Sequence, residues 1–231
     1  MHESFQWKRV DIEAKLNLLR QGVAAGCAAN PVTGRRERKK IEGWIRDLDS
    51  MQKKIGAIQG GIRHAIERDL GYRLNDPEML AIAMFQQSTR NLFDEIRLHA
   101  QGSGGCGLSE EELRELAALP EAAKVLAWIG DAALKIGLLP EIWNPSMAEV
   151  GFLTERRKAY DRNANLAHLC DRWSLYEHRI HFDPSEERSR RRLNHLKGTL
   201  VESVYGMLFL QGGLKAIAPA ARLLKPGGVL P

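Results

Sequence analysis

The amino-acid sequence predicts an all-α fold, and three observations predict it. Apolar residues recur at intervals of three and four through most of the chain, whereas the period-two alternation of a half-buried strand is nearly absent. Helix-start patterns stand in front of the apolar runs: Asp76 can cap with Pro77 opening the first turn, and Ser109 with Glu112 forms a capping box. Glycine pairs at 60–61 and 212–213, and prolines at 120, 140 and 145, punctuate the runs as helix breakers do.

Each element follows from local pattern. "WKRVDIEAKLNLLRQGVAAG" reads as a first amphipathic helix, broken by "AANPVTG". "RRERKKIEGWIRDLDSMQKKIGAIQGGIRHAIERDL" resumes as one long helix or two, with Gly60 and Gly61 as the division. After "GYRLN" comes a helix "PEMLAIAMF", then a glycine-rich loop "QGSGGCG" that lacks the Gly-Lys-Ser of a phosphate-cradling loop. "EEELRELAAL" is the capped helix, and Pro120 precedes a separate helix carrying Asp131. Pro140 and Pro145 bracket a turn, "GFLTERRKAYDRNANLAHLCDRW" supplies two short helices, and Asp183 with Pro184 opens a last long helix that stops at Gly212-Gly213. Residues 1–58 are expected to form an N-terminal helical extension and residues 59–231 the main domain.

Composition narrows the function. A chain of 231 residues can bury a substantial core, and a formal net charge of +5 with a pI near 9.2 favours an anionic partner. Cys27, Cys106 and Cys170 are far apart and odd in number, which argues against a disulfide framework or a thiolate metal site. The N-terminus has early acids and no long apolar core, and no segment reaches membrane-spanning length without a charge or breaker. The expectation is a soluble cytoplasmic protein.

Two acids interrupt the most apolar stretches: Asp131 in "LAWIGDAALKIGLL" and Glu202 in "LVESVYGMLFL". Packing the two helices face to face would set these carboxylates side by side, where they repel unless a proton or cation intervenes. Oxygen-only ligands suit Mg²⁺, with Mn²⁺ as a substitute, so a phosphodiester-hydrolysing site is chemically reasonable. The structural alternative is that Asp131 pairs with Lys135 four residues on and Glu202 finds a basic partner elsewhere.

"VLAWIGDAALKI" resembles the signature helix of the ribonuclease III family. Three further stretches resemble that family's motifs in order: "DLGYRLNDPEMLAIAMFQQST", "GFLTERRKAYDRNANLA" and "TLVESVYGMLFLQGGLKAI", together covering roughly residues 62–217. The resemblance implies an all-helical domain that dimerises, uses Mg²⁺-bound carboxylates to activate water, and cleaves double-stranded RNA to leave 5′-phosphates and short 3′ overhangs. It assigns Asp131 and Glu202 as catalytic acids and metal ligands. Where the family has three further acids, this chain has Lys124, Ala127 and Thr199; a fourth family acid falls on Val150, with Glu149 one position off register. Thr199 and Glu149 are therefore further candidate ligands. No separate double-stranded-RNA-binding domain is expected in the short stretch after the last motif.

RNA contacts are expected from the basic clusters. Arg156, Arg157 and Lys158 form one, Arg188 to Arg192, including Arg190 and Arg191, a second, and Arg35 to Lys40 a third. The tryptophans read as core or dimer contacts. The sequence thus points to an endoribonuclease of the ribonuclease III type acting on double-stranded or structured RNA as a homodimer. The alternative is a relative that binds structured RNA or a ribonucleoprotein without cleaving it.

Overall fold

The computed structural model describes residues 8–29, 34–71, 73–103, 105–143, 149–183 and 189–226. The described residues are helical and turn structure, with one isolated parallel bridge between Phe85 and Ile180. Arg188, Pro145, Pro184 and the Trp7 end of the first predicted helix lie outside them, as does the side chain of Cys27.

Helix α1 (Ile12–Ala29) starts where the chain turns at Asp11, and buried Glu78 accepts the backbone N–H groups of Val10 and Ile12 at 3.0 and 2.6 Å. A side chain some 66 residues away in sequence therefore caps this helix and fastens it to the rest of the molecule. Lys8 and Lys15 both donate to Glu115, whose carboxyl those bonds hold down at about 2.

Helix α2 (Arg35–Ala57) and α3 (Arg63–Leu70) do not separate at Gly60-Gly61. They join through one wide π-type turn, Ile58–Ile62, into a continuous rod ended by Gly71 in the left-handed region. The extra residue of the wide turn keeps Met51, Ile55, Ile58, Ile62 and Ile66 on one buried face. That burial outweighs the helix-weakening effect of two glycines. Residue 58 lies within this rod.

The cap at Asp76, which accepts from Glu78 N at 2.9 Å, opens α4 (Pro77–Ala83) as the sequence indicates. Helix α5 (Thr89–Ser103) extends into the expected glycine-rich loop. The capping box at Ser109 and Glu112 is present, but the helix it opens runs unbroken through Pro120 to form α6 (Glu110–Gly137), a single helix of 28 residues. Pro120 removes one internal hydrogen bond, and packing of α6 against α4, α5 and the last helix outweighs that loss.

Pro140 lies in the short α7 (Leu139–Ile142), and the two helices expected next are α8 (Val150–Asp161) and α9 (Asn163–Arg172). After α10 (Leu175–His178), residues 179–183 run extended beside Met84–Gln86, with Ile180 N donating to Met84 O and Gln86 N to Ile180 O, both at 2.9 Å. Asp183 therefore does not open the last helix; it accepts from Ser88 Oγ at 3.2 Å. Helix α11 (Arg190–Arg222) begins at a Ser189 cap and breaks at Gly213, whose φ of 59° and ψ of −153° end the first segment where the sequence places it. A second helical segment follows the break.

The core is built around α6 crossing α11. At the crossing the helices touch backbone to backbone: a Cβ added to Gly130 would collide with the carbonyl oxygen of Glu202, and one added to Gly206 with that of Leu126. Ser203 Oγ donates across the interface to Ala123 O at 3.1 Å, and Tyr205, fully buried, donates to Ala220 O at 2.6 Å. Trp44 and Trp173 lie in the core, whereas Trp128 and Trp143 are exposed.

These contacts predict a sharp contrast between glycines. Gly130→Ala and Gly206→Ala should each destabilise the fold by about 3 kcal/mol, because neither backbone can give way. Gly56→Ala, whose added methyl meets nothing within 4 Å on the face of α2, should stabilise by about 0.5–1 kcal/mol. Thermal unfolding followed by circular dichroism checks both signs.

Candidate functional site

The glycine crossing decides what its neighbours can do. Asp131 follows Gly130 directly, and Glu202 is the residue whose carbonyl Gly130 abuts. Glu202 is half-buried and Asp131 more open, with 42% of its side chain exposed. Burial, then Asp131, then a third acid, Asp161, push the Glu202 carboxyl up to about 7, against the opposing pull of Lys135. No described residue donates a hydrogen bond to it. It is a carboxyl group that holds or releases a proton near neutrality.

Asp161 ends α8 and faces the same cluster. Burial raises its carboxyl, Arg157 and Lys135 lower it, and Asp131 raises it again. Arg157 pairs with it at 3.5 Å. The sequence reading missed this acid, because it stands where the family motif carries an aliphatic residue. Its spacing of four from Arg157 and its place beside buried Tyr160 were the available signals.

Lys135 Nζ donates to Asp131 Oδ2 at 2.6 Å, so the structural alternative for Asp131 is the arrangement present. Lys124 instead pairs with Glu121 at 3.1 Å on an exposed face. Thr199 Oγ1 donates to its own helix at His195 O, 3.1 Å away, and Glu149 is exposed at the N-cap of α8 without capping it. The groups acting on Glu202 are Asp131, Lys135 and Asp161, and Glu149 is not among them. Ala127, where the family carries an acid, is buried.

Among the described residues, no group of three or more His, Cys, Asp or Glu side chains stands close enough to hold a metal ion. The chemistry of Asp131, Asp161 and Glu202 nonetheless suits a hard cation. All three offer oxygen, and Glu202 is held up by repulsion and desolvation that a dication would relieve. What opposes the cation is Lys135, already seated on Asp131.

The basic clusters separate on inspection. Lys158 pairs with Glu155 at 2.6 Å, while Arg156 lies over the Phe152 ring at 5.9 Å with a buried Nε lacking any partner. Arg190 and Arg191 are exposed in the first turn of α11, a turn with no acidic residue. Cations at a helix N-terminus oppose its dipole, so these arginines do not serve the helix itself.

The class this fold and site define is an all-α domain with a carboxylate pair at a helix crossing. Residues 124–213, from Lys124 to the break in α11, match the family model of the ribonuclease III domain. That stretch is similar to the ribonuclease III domain, whose family members cleave double-stranded RNA, usually dimerise and generally use divalent metals. No curated protein and no solved structure matches the chain. No helix among the described residues is long and apolar enough to cross a membrane.

The raised Glu202 carboxyl has a defined effect on stability. Its folded value of about 7 lies above its ordinary 4.5, so the folded state binds more protons between those limits. The contribution of Glu202 to stability should fall as pH rises through that window, by up to about 3 kcal/mol, and be constant below it. Glu202→Gln should remove this contribution, so that the wild-type minus variant difference carries it. Urea unfolding of both proteins from pH 4 to 8 checks it.

Proposed function

We propose that the protein is a cytoplasmic endoribonuclease of the ribonuclease III type. It hydrolyses phosphodiester bonds in double-stranded or structured RNA, with residues 59–231 as the nuclease-like domain and 1–58 as an extension packed onto it. The observation that carries this reading is the Asp131–Glu202 juxtaposition at the α6–α11 crossing, with Glu202 raised to about 7. A carboxyl raised by burial and by neighbouring acids, at the position where the family carries an acid, supports this reading.

Asp131 and Glu202 would hold Mg²⁺ or Mn²⁺, with Thr199 and Glu149 as outer candidates and Asp161 as the nearest additional carboxylate. A bound divalent ion supplies charge neutralisation at the phosphate and acidifies its water. The chain's own part is to shed two competitors: the proton on Glu202 and the Lys135 ammonium on Asp131. Water adds to phosphorus, the bond from phosphorus to the 3′-oxygen breaks, and the 3′-oxygen leaves carrying a proton. The products are a 5′-phosphate and a 3′-hydroxyl.

RNA contact is assigned to Arg156, Arg157, Lys158, Arg190 and Arg191. The N-terminal turn of α11, with its arginines aligned against the helix dipole, supports that assignment most directly. Homodimerisation is assigned to the outward face of α6 and the start of α7. Val125, Trp128 and Ile136 of α6 and Leu139 of α7 are all exposed there, with Trp128 at 76%.

A second reading, binding without cleavage, is favoured by one specific observation: the lysine that neutralises Asp131 stands where a dication would. Incubation with long duplex RNA in Mg²⁺ and in Mn²⁺ decides between them. The first reading expects cleavage abolished by Glu202→Ala; binding without any cleavage in either metal establishes the second. Lys135→Met should strengthen the metal response, because it removes the resident cation, and Thr199→Asp should add to it. Ala127→Glu would bury a charge and is expected to destabilise instead. Trp128→Glu should convert the dimer to monomer in sedimentation at micromolar concentration.

A further inference from the structure

Away from the carboxylates, α2, α11 and the extended segment 179–183 meet the end of α10 around Tyr176 and Arg179. Lys54 of α2 donates from Nζ to Arg179 O at 2.6 Å, and Arg179, 7% exposed, donates from Nη1 to Tyr176 O at 2.6 Å. The Arg179 guanidinium lies 3.6 Å from the Tyr176 ring centroid, and Lys197 Nζ of α11 lies 5.3 Å from it. His181, in the extended segment that follows, has a buried Nδ1 without a hydrogen-bond partner.

Charge does not balance here. Lys197 is matched by Asp171, and Asp183 stands 3.6 Å from His181, where it also accepts from Ser88. No carboxylate among the described residues pairs with Lys54 or Arg179. Their acceptors are two carbonyls at the end of α10, which carry only the partial charge of a helix C-terminus. Burial and Arg179 both lower the Lys54 ammonium, and His181 is lowered by burial, Arg179 and Lys54, with Asp183 opposing. Two buried carboxylates show the contrast: Glu78 accepts two N–H groups, and Asp69 is held by Arg172 at 2.7 Å and Trp173 at 2.9 Å.

We propose that Lys54, Arg179 and His181 form a phosphate-binding site, separate from the carboxylate pair. An ammonium point charge and a guanidinium fork with unused N–H groups are the donor set that a phosphate's several oxygens accept. Stacking on Tyr176 fixes the plane of the fork before the anion arrives, so little rotamer freedom is lost on binding. The phosphate is either a backbone phosphate of RNA or a free phosphate group.

The test is thermal unfolding of the full chain in sodium phosphate against sodium chloride at matched ionic strength. A saturable rise in Tm with phosphate is expected, and Lys54→Met should weaken phosphate affinity roughly tenfold or more. In chloride, Lys54→Met should keep or raise Tm, since it removes a half-buried cation facing another; a lysine serving only as a cap would give a loss in both salts. Arg179→Lys, which keeps the charge but not the fork, should weaken phosphate while folding normally. Glu202→Ala should leave the phosphate response intact, which keeps this site's failure distinct from that of the carboxylate pair. Binding of duplex RNA then identifies the source. A fall in RNA affinity in Lys54→Met, with a salt slope shallower by about 1, points to the backbone, while unchanged RNA binding with a lost phosphate response points to free phosphate. Absence of a saturable phosphate effect, or its persistence in Lys54→Met and Arg179→Lys, overturns the proposal.

Discussion

Gly130 and Gly206 let α6 and α11 cross with their backbones in contact, and the positions of the other functional groups follow from that contact. A side chain at either position would push the helices apart by the width of a methyl group or more. Ser203 would then lose Ala123, and Glu202 would move out into water. The crossing thus links a packing constraint to an electrostatic one. The closeness that excludes a Cβ also takes the Glu202 carboxyl out of solvent beside Asp131, and burial is the largest cause of its shift.

The cluster around Glu202 is a balance between acids and cations rather than a bare acidic pocket. Asp131, Asp161 and Glu202 share Lys135 and Arg157, and the proton near neutrality resides on the most buried of the three. On the proposed reading such a site would have two neutralised forms, one with the lysine and a proton, the other with a dication. Which form dominated would then depend on pH and metal concentration, because a dication entering there would have to displace a proton from Glu202 and an ammonium from Asp131. The chain lacks acids at Ala127 and Thr199, so its preference for the second form is weaker than a fuller carboxylate shell would give.

Much of this was legible in the sequence, for reasons that are local. The caps at Asp76 and Ser109, the break at Gly213 and the pairing of Asp131 with Lys135 all act within four residues, and residue type at fixed spacing is enough to read them. The facing of Asp131 and Glu202 was legible because each is a lone acid in an apolar helix. Pro120 and Gly60-Gly61 misled, since tertiary burial outweighed their intrinsic effect on a helix. Asp161 stayed hidden because it stands at a position where the motif carries an aliphatic residue and follows a charged run, Glu155 to Lys158, in which one more acid is not conspicuous. The meeting of Lys54 with Arg179, 125 residues apart, carries no local signature at all.

The central claim is that the helix crossing holds the Glu202 carboxyl poised between a proton and a cation. Carbon-13 NMR titration of the Glu202 side-chain carboxyl in the intact chain, with and without Mg²⁺, measures this directly. A midpoint near 7 without metal that moves down when Mg²⁺ is added is the result the account predicts. A midpoint near the ordinary 4.5, unmoved by Mg²⁺, would contradict it.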